Sequence, residues 1–278
     1  MKNQATKPAA PKTGEKKSSG GNWFAVLTIV LIFIIAVCIY NFILGDGSHF
    51  EGGDNKNEPI PGDYLGTVYK GGFIVPVLMT MLLSVIVFSI ERAFTLGKAT
   101  GTGSIDVFVR KVKSSLASDN INEALAECDK QKGSVGNVIN SVLHKYKEMA
   151  VDTTMSKDQK VLAIQKELED STALELPMLE KNLTIIATLA SVATLTGLLG
   201  TVMGMIRAFA GMAQAGAPDS SALSTGISEA LINTALGIGT SALAIIAYNF
   251  FTSKIDTLTY SIDEAGFSIM QNFASKHN

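Results

Sequence analysis

Four stretches of this chain, residues 23–44, 71–90, 182–206 and 230–253, each run for 20 residues or more without one Asp, Glu, Lys or Arg. A helix needs about 20 mostly apolar residues to cross the hydrocarbon core of a bilayer. A buried core helix is the alternative for any single stretch, but such helices seldom stay uncharged for so long, and four in 278 residues would be unusual. The sequence therefore predicts an all-α, polytopic membrane protein with four transmembrane helices. Composition agrees, because 17% of the residues are charged where soluble domains carry about 25%.

The charges between the spans set an orientation. The tail 1–22 carries Lys2, Lys7, Lys12, Lys16 and Lys17 against Glu15; it is expected to be disordered and cytoplasmic. Residues 23–44 form the first span, too long for a signal-peptide core and followed by no small-residue cleavage site, so it reads as an uncleaved anchor. The connector 45–70 is acidic and turn-rich, with Asp46, Glu51, Asp54, Glu58 and Asp63 against Lys56 and Lys70, and reads as exported. The second span, 71–92, returns the chain to a cytoplasmic helical region, 93–181. A span at 182–212, a short exported connector at 213–221, a span at 222–253 and a cytoplasmic tail at 254–278 complete the layout. Both termini are then cytoplasmic, in agreement with an even number of crossings.

Several function classes lose support. A net charge of −2 offers no field for a polyanion, so no nucleic-acid partner is expected. Cys38 and Cys128 lie in different surroundings and suggest no disulfide. With His49, His144 and His277 scattered, no metal-ligand spacing occurs. No phosphate-binding Gly-Lys-Ser/Thr loop is present, so neither enzyme activity nor a cofactor is expected.

In the region 93–181, Ile105, Val109, Val112 and Leu116 lie on one helical face. Asn120 is positioned to cap a helix over 121–132, Ser134 to cap the next, and 158–176 to form the last, with Pro177 as a kink or junction before the third span.

Polar groups inside the last two spans are costly unless they face protein or water. Thr201 lies 16 residues before, and Thr234 lies 17 after, the centre of the intervening connector near residue 217. At about 1.5 Å per residue the two threonines stand level near mid-membrane. The alternative is that such hydroxyls only bond the carbonyl one turn back or a neighbouring helix. By the same count Arg207 and Glu229 stand near one level closer to the exported side, where an ion pair competes with snorkelling of Arg207 to headgroups. Gly197, Gly200, Gly204 and Gly237 permit close helix packing.

The string Gly197-Leu-Leu-Gly-Thr201-Val-Met-Gly204-Met-Ile-Arg-Ala-Phe209, with Gly226-Ile-Ser-Glu229-Ala-Leu-Ile-Asn-Thr234-Ala-Leu-Gly237 and Tyr248-Asn249 after it, resembles the ExbB/TolQ/MotA proton-channel family, most closely its ExbB and TolQ branch. Ser89-Ile-Glu91-Arg92 with Leu96 is similar to the end of the family's first core helix, and Glu123-Ala-Leu-Ala-Glu-Cys128 to its cytoplasmic helical repeat. The resemblance implies a homopentamer around an ExbD-like or TolR-like single-span partner whose membrane aspartate takes up the proton. It also implies a TonB-like protein that receives the work. On this resemblance Thr201 and Thr234 correspond to pore-facing threonines and Glu229 to a glutamate near the pore's outer end. Thr194 and Leu243 stand where the family often has proline, and the 23–44 span is extra to the ExbB and TolQ core. The runner-up roles are a TolQ-like envelope-constriction subunit, a MotA-like flagellar stator and a non-conducting scaffold.

Overall fold

The computed structural model describes residues 20–214 and 220–277. Most of the tail 1–22 and the middle of the 213–221 connector lie outside the described residues. Among those described, no strand forms; one isolated bridge joins Phe50 to Pro59. The helices are α1 (Gly20–Ile39), α2 (Tyr64–Tyr69), α3 (Val75–Thr100), α4 (Ile105–Ala117), α5 (Ile121–Gln131), α6 (Gly133–Val151), α7 (Lys157–Glu180), α8 (Leu183–Gln214) and α9 (Ser220–Lys276). Four helical stretches within this set are long and apolar enough to cross a membrane: Ala25–Leu44, Gly72–Ala117, Leu183–Gly211 and Leu223–Lys276.

Local chemistry explains the boundaries. Pro76 lies in the first turn of α3, where its missing N–H costs no helical bond. Asn120 caps α5, its Oδ1 accepting from the Glu123 N–H at 3.2 Å. Ser156 and Gln159 make a reciprocal capping box at the start of α7. Ser134 does not cap α6. That helix starts at Gly133, with Lys132 and Gly133 both at positive φ, so Ser134 is already inside the first turn, buried. Pro177 lies within the last turn of α7 and is not the break. The chain leaves helical geometry at Lys181 and Asn182, the latter at φ 64°. α8 and α9 run through Thr194 and Leu243 as unbroken helices.

The α7–α8 break is stitched to α3 by a buried arginine. Arg92 is 1% exposed, donates to the carbonyls of Met178 and Leu179 at 3.3 and 3.2 Å, and forks onto Glu91 at 2.7 and 2.6 Å. The Glu91 carboxylate also accepts from Asn182 at 3.1 Å. The last carbonyls of α7, which no helical N–H reaches, thus find a charged donor.

Of the segment 254–278, read from sequence as a tail, residues 254–276 form the C-terminal part of α9. Ile255, Leu258, Ile262, Ala265, Ile269 and Phe273 repeat at three and four residues and are all buried against α4, α6 and α7. Tyr146 of α6 is fully buried, meets the Phe273 ring edge-on at 4.9 Å and donates to Asn272 at 2.9 Å. Cys128 of α5 is buried in this core, and burial pushes its thiol up to about 12. In a Cys38→Ser background a water-soluble maleimide should therefore leave the folded protein unlabelled near neutral pH and react on denaturation. Rapid labelling of the folded form would contradict this packing.

The 45–70 connector folds back on the end of α1. Tyr40 stacks on Tyr69 at 4.6 Å and donates to its carbonyl at 3.0 Å, and buried Phe50 meets Tyr69 edge-on at 5.4 Å. Asp63 caps α2 by accepting from the Leu65 and Gly66 N–H groups and pairs with His49 at 2.8 Å. The Gly66 N–H, with the His49 contact, holds its carboxyl below the usual carboxylate range.

Candidate functional site in the α8–α9 hairpin

α8 and α9 approach so closely because glycine stands at their crossing points. A Cβ added to Gly237 would lie 2.8 Å from the Gly197 Cα and 2.7 Å from the Ala193 carbonyl. One on Gly204 would lie 2.8 Å from the Gly226 carbonyl, and one on Gly200 would strike the Asn233 side chain. Each distance is shorter than two non-bonded heavy atoms tolerate, so the backbones touch only while these positions lack side chains. At the far end the Ser241 hydroxyl donates to the Ala190 carbonyl at 2.5 Å.

Between the Gly197–Gly237 and Gly204–Gly226 crossings, Thr201 and Thr234 face one another with their hydroxyls in hydrogen-bond contact. Each hydroxyl also reaches a carbonyl: Thr201 Oγ1 lies 3.2 Å from Gly197 O and 3.4 Å from Ala230 O, and Thr234 Oγ1 lies 3.1 Å from Ala230 O. Both residues are half-buried. A hydroxyl both donates and accepts, so this pair offers a protonatable partner one acceptor and one donor at a single level, with no ionisable group of its own.

Nearer the connectors Arg207 of α8 pairs with Glu229 of α9. Glu229 is buried, whereas the Arg207 side chain is 45% exposed and its guanidinium lies over the Phe73 ring at 5.2 Å. A carboxylate at such a site requires a cation, and Arg207 supplies it. Gly72 touches the same carboxylate. Its φ of +77° is a left-handed conformation that suits glycine, and a Cβ there would lie 2.5 Å from Glu229 Oε1. Thus the start of α3 closes over the pair. Among the described residues no group of three His, Cys, Asp or Glu is placed to hold a metal.

The sequence reading passed over Asn233, Gly71 and Gly72. Asn233 is fully buried and donates to the Gly71 carbonyl at 2.8 Å. An amide inside a run of uncharged apolar residues was the signal that could have marked it.

Comparison with known proteins adds a second line. Residues 135–264 match the sequence model of the MotA/TolQ/ExbB proton channel family. Helicobacter pylori biopolymer transport protein ExbB is 42% identical over 94 residues, 34% of this chain and 64% of that one. The ExbB-like 3 biopolymer transport protein of Synechocystis is 38% identical over 88 residues, 31% of this chain and 42% of that one. The TolQ protein of the Tol-Pal system of Pseudomonas aeruginosa is 23% identical over 193 residues, 69% of this chain and 84% of that one. The matched segment therefore spans less than two thirds of either ExbB-type relative. The segment that matches the MotA/TolQ/ExbB proton channel family model contains Thr201, Arg207, Glu229 and Thr234, so the whole α8–α9 site lies inside the part of the chain that is similar to that family.

Proposed function

We propose that this protein is the inner-membrane subunit of a proton-driven motor of the ExbB type, a homopentamer around a one-span ExbD-like partner that carries a membrane aspartate. In this reading both termini are cytoplasmic, Thr201 and Thr234 line the proton path, and Glu229 marks its outer end. Proton flow moves the partner relative to the ring, and a TonB-like protein carries the work to an outer-membrane transporter. Lipid surrounds the ring. The observation that carries the reading is the level Thr201–Thr234 hydroxyl pair in two spans whose uncharged windows hold no carboxylate. At the level of that pair another chain must then bring the titrating group. The membrane potential supplies about 2.3 kcal/mol per proton per 100 mV, so a few protons suffice to break several ordinary contacts.

The length of the TolQ alignment, 84% of that relative, favours a second reading as a TolQ-like subunit working with a TolR-like partner in envelope constriction. Purification in mild detergent with the one-span protein encoded nearby, followed by native mass spectrometry, tests what both readings share. Five copies with two partners is the expected result. A stable assembly that takes up no such partner would overturn it.

The ion pair has its own test. Reversal of one charge, Arg207→Glu or Glu229→Arg, leaves like charges in contact and should abolish function, since truncating or opposing a buried charge costs about 3–5 kcal/mol. The double reversal should recover a substantial part of it. If the double is worse than either single variant, the pair does not matter to the mechanism.

A further inference from the structure

Asn233 lies on α9 one turn after Glu229 and one residue before Thr234, and none of it is exposed. Its Nδ2 is used by the Gly71 carbonyl at 2.8 Å. Its Oδ1 is buried and accepts from no donor among the described residues. A buried amide oxygen left unpaired costs about 1–3 kcal/mol, and such orphans in native proteins call for an explanation.

Glu229 supplies one. Four residues apart on a helix, Glu229 and Asn233 share a face. Their side chains also meet consecutive residues of the turn before α3, Asn233 through the Gly71 carbonyl and Glu229 through the α-carbon side of Gly72. The groups that face the Glu229 carboxylate from the other elements are Arg207 of α8, already paired with it, and Tyr40 at the end of α1, within electrostatic range.

We propose that Asn233 is a positioning residue for the proton-loaded state of Glu229. One proton added to the carboxylate cancels its charge and opens the Arg207 pair, and the neutral carboxyl then donates its O–H to Asn233 Oδ1. Arg207, nearly half exposed, turns toward the headgroups. The amide oxygen accepts without taking the proton, so it holds the loaded carboxyl toward Thr234. The inference rests on the proton-channel reading and adds a residue to it.

Infrared difference spectra of the full chain in phosphatidylethanolamine–phosphatidylglycerol bilayers test it without requiring transport. The carbonyl band of protonated Glu229 is identified by its loss in Glu229→Gln. In Asn233→Ala that band should move to higher wavenumber, as a carboxyl that loses its acceptor does, and proton flux through the complex with its one-span partner should fall about fivefold to tenfold. Asn233→Leu fills the same space over Gly200 and gives the same shift, so the test survives if the smaller variant does not fold. A band unmoved in either folded variant overturns the proposal. A shifted band in a protein whose wild type conducts no protons leaves the Asn233 contact standing and overturns the channel reading instead.

Discussion

Thr201→Val combined with Thr234→Val is expected to reduce proton-driven work to the level seen with an uncoupler, while the protein still folds and assembles. Valine has the shape of threonine, so the packing between the glycine crossings is kept. The hydroxyls bond one another and carbonyls that α8 and α9 themselves supply, and such hydrogen bonds inside a membrane bundle contribute only about 0.6 kcal/mol each. Stability should therefore change by about 1 kcal/mol. What disappears is the one pair of facing hydroxyls described between α8 and α9 at that level. Uptake assays in cells that depend on the protein, with native electrophoresis of the complex, read both effects. Assembly with full uptake would sink the assignment of these two residues.

Gly237→Leu should fail for the opposite reason. Its side chain would start 2.8 Å from the Gly197 Cα, and neither backbone can yield without separating α8 from α9. Overpacking costs about 1–3 kcal/mol in ordinary cores, and here the obstruction is main chain, so the upper end or more is expected. The Thr201–Thr234 contact, about one turn away from the crossing, would open as well. Gly239 is the control, because a Cβ there meets nothing within 4 Å and Gly239→Ala should melt like the wild type. Thermal unfolding in detergent compares the two. Equal melting of Gly237→Leu and the wild type would show that the hairpin is looser than described.

The sequence made some of this legible and hid the rest for identifiable reasons. Long uncharged windows report membrane helices because lipid tolerates few charges, and each of the four helical stretches long and apolar enough to cross a membrane overlaps one of those windows, two of them running well beyond it. The level of Thr201 and Thr234 followed from helical rise alone, since two helices joined by a short connector must run antiparallel. The reach of α9 is hidden because apolar character falls after residue 253 while the helix continues to Lys276. The stripe Ile255–Leu258–Ile262–Ile269–Phe273 is there to be counted, but a helix that is apolar all round and then continues with one apolar face and one solvated face changes composition without changing geometry. Ser134 was a plausible cap by residue type, and the positive φ values at Lys132 and Gly133 that displace it are not visible in composition. Asn233 and Gly72 escaped because their role depends on the turn before α3 folding over α9, a contact between residues more than 150 positions apart.

Proton flux measured in sealed vesicles that hold the full chain with its one-span partner tests the central claim most directly. Under an imposed potential, inside negative, the wild type should acidify the lumen, and the Thr201→Val, Thr234→Val double variant should not. Equal flux in both would show that protons do not cross at the level of these threonines.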